Sequence, residues 1–287
     1  QMTALKLTTL PFGTMSADVP YLKARNTRLV RRYVAGAEGK VDLFGSDWSW
    51  DAYYQAGESG ATKRFYDRFK SKLNLALDSV RNAQGIPVCR ANVDADPTND
   101  MPGCVPFNFF GQGVNSQAAI NYITAMPNHP HNSQRQVLTS AAANVSGEPF
   151  SDWAGPISLA AAIEWRKETI DGKADPIAQA KNWYSTNYIS WPHVEQSVVE
   201  GNLETVIPLA KDTVWAKSLD FNGAVRLTDY SVSGSVVTWK AGLTYNPIDD
   251  LRIRLTQSRD IRAPNLNDLF APGQQGHGAI ADPFKNN

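Results

Sequence analysis

The chain has 287 residues, enough for one large domain or two modest ones, and its 28 Lys+Arg balance 28 Asp+Glu. That balance offers no electrostatic footprint for a nucleic-acid partner and no acidic tail. No apolar run approaches the ~18 residues a transmembrane helix needs, but membrane-spanning strands, only half apolar, stay open.

The chain opens Gln1-Met2 without a signal-peptide pattern, so it is expected to be a piece of a longer protein. Period-two alternation, the mark of a strand with two different faces, appears first around 30–38 (VRRYVAGAE) and at 48–55 (WSWDAYYQ). A long stretch, about 56–135, follows. Within it, Leu73, Leu77 and Val80 fall at helical spacing, and SQAAINYITAM (116–126) predicts a second helix capped by Ser116 and stopped by Pro127. Cys89 and Cys104 lie in the same stretch, flanked by Pro and Gly. Free loop thiols are one reading. The expectation is a disulfide in an oxidising compartment, contributing about 3 kcal/mol by restricting the unfolded chain.

Alternation resumes at 137–146 (VLTSAAANVS) and 153–167, where Trp153, Ile157, Leu159, Ala161, Ile163 and Trp165 oppose Ser158, Glu164 and Arg166. A second long connection, about 170–194, holds Trp183, Tyr184, Tyr188 and Trp191. Exposed aromatics offer large contact area at low entropy cost, so these four are the predicted ligand contacts; packing against neighbouring loops is the alternative. Further strands are predicted at 199–209, 219–228, 236–246 and 251–258, the last two with Lys240, Arg252 and Arg254 on the polar side. Eight strands result. Short connections (39–47, 147–152, 210–218, 246–250) alternate with longer ones, as in an outer-membrane barrel with short turns at one end and long extracellular loops at the other.

Catalytic signatures are thin. NHPHN (128–132) offers two histidines without further metal ligands, and DADPTND (94–100) lacks the glycine and distal Glu of a calcium loop. NVS (144–146) falls inside a predicted strand. No nucleophile elbow, zincin, P-loop or dinucleotide fingerprint occurs. The expectation is no enzyme, no cofactor and no metal.

The sequence SVVTWKAGLTYNPIDDLRIRLTQ followed by SRDIRAPNLNDLF resembles the barrel of the TonB-dependent outer-membrane receptors, with its Arg-Ala-Pro and aromatic ending. CVPFNFFG (104–111), SGEPFSDWAGPISLAAAIEWRKE (146–168) and VEGNLETVIPLAKD (199–212) agree. The resemblance implies an all-β, antiparallel up-and-down transmembrane barrel in a Gram-negative outer membrane, residues 1–287 being a partial barrel. Partners would be outer-membrane lipid, a small-molecule ligand such as a siderophore, cobalamin or oligosaccharide, and the TonB complex acting through a plug domain not recognisable here.

On this reading Val237, Trp239, Leu243, Leu251, Ile253 and Leu255 face lipid. Lys240, Arg252 and Arg254 face a watered or plugged lumen. The strands near 30–38 and 251–261 should be open sheet edges. A passive porin-like channel and a secreted carbohydrate-binding β-sandwich are the alternatives.

Overall fold

In a computed structural model, residues 17–20, 23–43, 45–124 and 129–273 are described. In chain order the strands and helices are β1 (Ala24–Leu43), β2 (Ser46–Phe65), α1 (Lys70–Leu77), β3 (Ser79–Arg81), β4 (Pro87–Cys89), α2 (Gln117–Thr124), β5 (His131–Ser151), β6 (Pro156–Ala174), α3 (Pro176–Gln179), β7 (Trp191–Thr213), β8 (Ala216–Tyr230), β9 (Gly234–Ile248), β10 (Leu251–Arg259) and α4 (Leu266–Phe270).

Eight strands form one sheet in the order β1-β2-β5-β6-β7-β8-β9-β10, with β1 and β10 at its edges. Pairing is antiparallel at each junction from β6 to β10. Seven of the eight predicted alternations lie within one of these strands, and the eighth, 153–167, begins three residues ahead of β6. The strands are mostly longer than the alternation suggests: β7, expected over 199–209, has 23 residues. Beyond the apolar stretch both faces become polar, so the backbone ladder continues where the hydropathy contrast has stopped.

The connections between β1 and β2, β5 and β6, β7 and β8, and β9 and β10 are short. Gly45 reverses the first with a φ of 72°, a conformation that only glycine adopts freely. Asp152 holds the second, its Oδ1 accepting from the backbone N–H of Ala154 at 2.7 Å and of Gly155 at 3.1 Å. Trp153 therefore sits in this turn and not in β6. Thr213 closes the third, its Oγ1 accepting from the Ala216 N–H at 3.2 Å.

The chain divides into two compact units. One comprises residues 28–60, 134–172 and 191–287, and holds most of the sheet. The other comprises residues 1–27, 61–133 and 173–190. In the latter, α1 and α2 pack through Leu73, Ala76, Ala119 and Ile123 around Phe107. Ser116 caps α2 as expected, its Oγ accepting from the Ala119 N–H at 3.2 Å; the predicted stop at Pro127 lies outside the described residues. The predicted helical pattern runs out earlier, because Val80 pairs with Val88 in the small β3–β4 ribbon. A Cys89–Cys104 disulfide closes the loop after β4.

Candidate functional site: two faces of one sheet and a loop core

Strand register sorts the side chains of the sheet unit into two populations. Leu203 pairs with Ala161 and Val225, and Trp239 pairs with Val225 and Arg259. Ile163, Val199, Leu227, Val237, Leu243, Ile253 and Leu255 fall on the same face and are all exposed. The opposite face is charged. Glu200 there accepts ion pairs from Arg166 at 3.7 Å and Arg226 at 3.8 Å, and its side chain is only 16% exposed. Arg166 also meets Glu164 at 3.4 Å.

Lys240 pairs with Ala224 and Ser258, and Arg254 pairs with Thr244, so both lie on this polar face. Arg252 lies there by alternation between Leu251 and Ile253, its Nε donating to Asn246 Oδ1 at 3.1 Å. In β1, β2 and β5, Arg32 donates to Gln55 Oε1 at 2.6 Å and Gln55 donates to the buried Ser140 at 2.8 Å.

The burial profile is therefore inverted relative to a water-soluble sheet. Ser140, Gln196 and Thr228 are buried on the polar face, while large apolar side chains stand exposed on the other. The exposed face is also bounded at both ends. Toward the short turns lie Trp48, Trp50, Trp153, Trp215 and Tyr245; the Tyr245 hydroxyl donates to the Trp215 carbonyl. Gly147 leaves room for this belt, since a Cβ there would lie 2.6 Å from the Trp48 ring.

Toward the other end lie Tyr33, Tyr54, Trp165 and Trp239, and then the first charges on that face. These include Glu58 bonded to Arg135 at 3.1 Å, Lys167 paired with Glu195 at 2.8 Å, and Asp229 accepting from the Ser235 hydroxyl. From Trp48 to Glu58 on β2, or Leu219 to Asp229 on β8, is ten residues along the chain. At about 3.3 Å per residue that is ~33 Å of strand. At the ~45° tilt of a membrane strand it rises ~23 Å, close to the ~25 Å apolar band of outer-membrane barrels.

The loop unit gathers only part of the predicted aromatic group. Trp183, expected to face a ligand, is fully buried. Its ring lies 4.6 Å from that of Phe69 and its Nε1 donates to Asp175 Oδ1 at 3.0 Å. The indole is drawn inward because this carboxylate satisfies its N–H within an apolar cluster of Ala174 and Ala178. Asp175 also caps α3 by accepting from the Ile177 and Ala178 N–H groups, and its Oδ2 accepts from the His131 N–H at 3.0 Å. Tyr188 packs against this cluster, and burial pushes its hydroxyl pKa up, with the Asp175 charge adding to the shift. Tyr184 remains 52% exposed, with the Arg68 guanidinium 5.1 Å from its ring centre. Trp191 is not in the cluster; it opens β7, paired with Gly172.

Further clamps hold the loops. Asp67 is buried and accepts from the backbone N–H groups of Ser185 at 2.8 Å and Thr186 at 2.7 Å. Asp18 gathers the N–H groups of Gly113, Val114 and Asn115, and these bonds, Gly113 first and the Asn115 side chain next, hold its carboxyl below its usual range. His129, from the NHPHN motif, has its ring centre 4.2 Å from that of Tyr66 with the planes tilted by 52°; burial, then the Arg64 charge, lowers its pKa. The signal for one clamp was present in the sequence: Asp175 directly precedes Pro176, the pattern of an N-cap before a first-turn proline. Asp67 and Asp18 have no such local mark.

Comparison with known proteins agrees with this geometry. A family model described as TonB dependent receptor-like, beta-barrel matches residues 11–287. No curated protein and no solved structure matches the chain.

Proposed function

Because the chain belongs to the TonB-dependent receptor β-barrel family, a family of outer-membrane transporters and not of enzymes, we propose that it forms wall and loops of a receptor for active solute uptake. The observation that carries the reading is the exposed apolar face bounded by aromatic and charged belts about one membrane thickness apart. In this arrangement the apolar face meets lipid. Lys240, Arg252, Arg254 and the Glu200 network line the lumen, where each charge escapes the ~2–4 kcal/mol that an Arg or Lys costs at the lipid midplane.

The connections at 66–130 and 175–190 are extracellular on this reading, which suits the Cys89–Cys104 disulfide they contain. Ligand contact by the loops falls to Tyr184 and the Arg68 beside it, with Trp183 and Tyr188 as the core that positions them. The energy for uptake comes from TonB through a plug domain.

The test is uptake by the intact receptor in cells with and without TonB. Loss of uptake in the TonB-deficient strain, with the receptor still in the outer-membrane fraction, supports the reading. Uptake indifferent to TonB would replace it with a passive channel.

A further inference from the structure

After Arg259 the chain leaves the sheet and returns over the polar face. Asp260 and Ile261 line a pocket there with Glu200, Arg226 and Lys240. α4 follows, against β7, with Leu266 buried. The return is firmly built. Asn265 and Asp268 form a capping box, with the Asp268 N–H donating to Asn265 Oδ1 at 2.9 Å, and Arg262 donates to the same Asp268 carboxylate at 3.0 Å.

Between α4 and the polar faces of β1, β2, β5 and β6 lies a cavity of about 550 Å³, within the 300–1,000 Å³ range of small-molecule sites. Its polar lining is dominated by carboxamides: Gln134 and Gln136 from β5, and Asn265 and Asn267 from the returning segment. Each such group both donates and accepts hydrogen bonds, as a hydroxyl does. Apolar patches from Leu138, Ile170 and Leu266 lie between them. On the polar face the one arginine, Arg32, is matched by the one glutamate, Glu168, whereas Arg31 and Glu58 line the cavity from strand positions that alternate to the apolar face. Arg32 is engaged by Gln55, and Glu58 by Arg135. The lining thus has no net charge with which to draw an ion.

We propose that this cavity is a lumenal subsite for a neutral polyhydroxylated solute the size of a small oligosaccharide, with the carboxamides on its hydroxyls and the apolar patches against its C–H faces. The inference rests on the polar face being the lumen.

The experiment titrates neutral sugars (maltotriose, cellobiose, sucrose), citrate and spermidine into the intact purified receptor by calorimetry. A neutral sugar should bind, and citrate and spermidine should not. Asn267→Ala sits on an exposed helical position where alanine favours the helix; it should weaken sugar binding about tenfold, as loss of one well-made hydrogen bond does. Gly57→Phe fills the cavity from β2: a Cβ there meets only the carbonyls of Arg31 and Leu138 at 3.8 Å, so the strand tolerates it while binding is lost. Ala224→Phe, on the polar face outside the cavity, should bind like wild type.

Binding of citrate or spermidine in place of sugar, no sugar binding at all, or equal loss in Gly57→Phe and Ala224→Phe would each overturn the proposal. TonB-dependent uptake is scored separately. If it persists where sugar binding is absent, the subsite is refuted and the receptor reading stands.

Discussion

Ile163 and Ala162 are neighbours in β6 that face opposite ways, and replacing each with arginine separates the membrane reading from any soluble one. Ile163 is 59% exposed, lies opposite Gly201, and sits four residues short of Lys167, the first charge on its face. In water, a substitution at so open a site changes stability by about 0.5 kcal/mol or less. In a lipid midplane Ile163→Arg costs about 2–4 kcal/mol, a roughly 30- to 850-fold loss in the folding equilibrium.

Ala162 pairs with Asn202, with Glu164 two residues along and Glu200 and Glu204 diagonal to it. An arginine there meets carboxylates and water, so Ala162→Arg should stay within about 0.5 kcal/mol of wild type. The assay is urea titration of the intact receptor in lipid vesicles, followed by tryptophan fluorescence, with heat-modifiable gel migration as an independent measure of the folded barrel. Equal midpoints for the two variants, or a larger loss for Ala162→Arg, would refute the assignment of faces.

Removing the disulfide by Cys89→Ser, which opens a link between residues 15 apart, should lower the stability of the loop unit by about 3 kcal/mol, read as faster proteolysis of the 66–130 connection with the barrel intact. Trp183→Ala should cost about 3–5 kcal/mol locally, as for other large core truncations, whereas Tyr184→Ala should leave loop protection unchanged and reduce ligand affinity; the reverse pattern in hydrogen exchange and binding would exchange their roles. The Asp18 clamp on 113–115 depends on a carboxyl whose folded pKa is depressed. Its contribution is present above the ordinary aspartate pKa of about 3.9 and is lost as pH falls through the lower folded value. Amide exchange of Gly113, Val114 and Asn115 should therefore be protected at neutral pH and accelerate, after correction for intrinsic rates, only at strongly acidic pH; Asp18→Asn should show less protection at neutral pH.

How much was legible in the sequence follows from the range of each interaction. The facing of Val237, Trp239 and Leu243 against Lys240 is a property of adjacent residues, because a strand alternates faces residue by residue, so it was readable from 236–246 alone. Strand ends were not. The outer parts of β7 carry polar side chains on both sides, and only cross-strand hydrogen bonds define them. Helix α2 announced itself through Ser116 and its apolar spacing. Trp183 misled because a tryptophan among polar loop residues looks exposed until Phe69, more than a hundred residues away, is brought beside it. Asp67 and Asp18 hold partners 119 and 95 residues away, beyond any window. Helix α4 was not anticipated: Asn265 and Asp268 form its capping box, but nothing local says that the chain returns over the polar face.

The charges on 251–259 gain their meaning from the strands beside them. A β-sandwich and a membrane barrel both alternate, so alternation cannot separate them; what separates them is which face is buried. In a sandwich the apolar face packs against a second sheet and the charged face meets water. Here Glu200, held by two arginines, is mostly covered, while Leu227, Ile163 and Leu255 stand open. Leaving so broad an apolar surface in water would invite aggregation, and covering Glu200 without its two arginines would be costly. Lipid over the apolar face and a hydrated or protein-filled lumen on the other would meet both conditions together, which is the ground of the proposed reading.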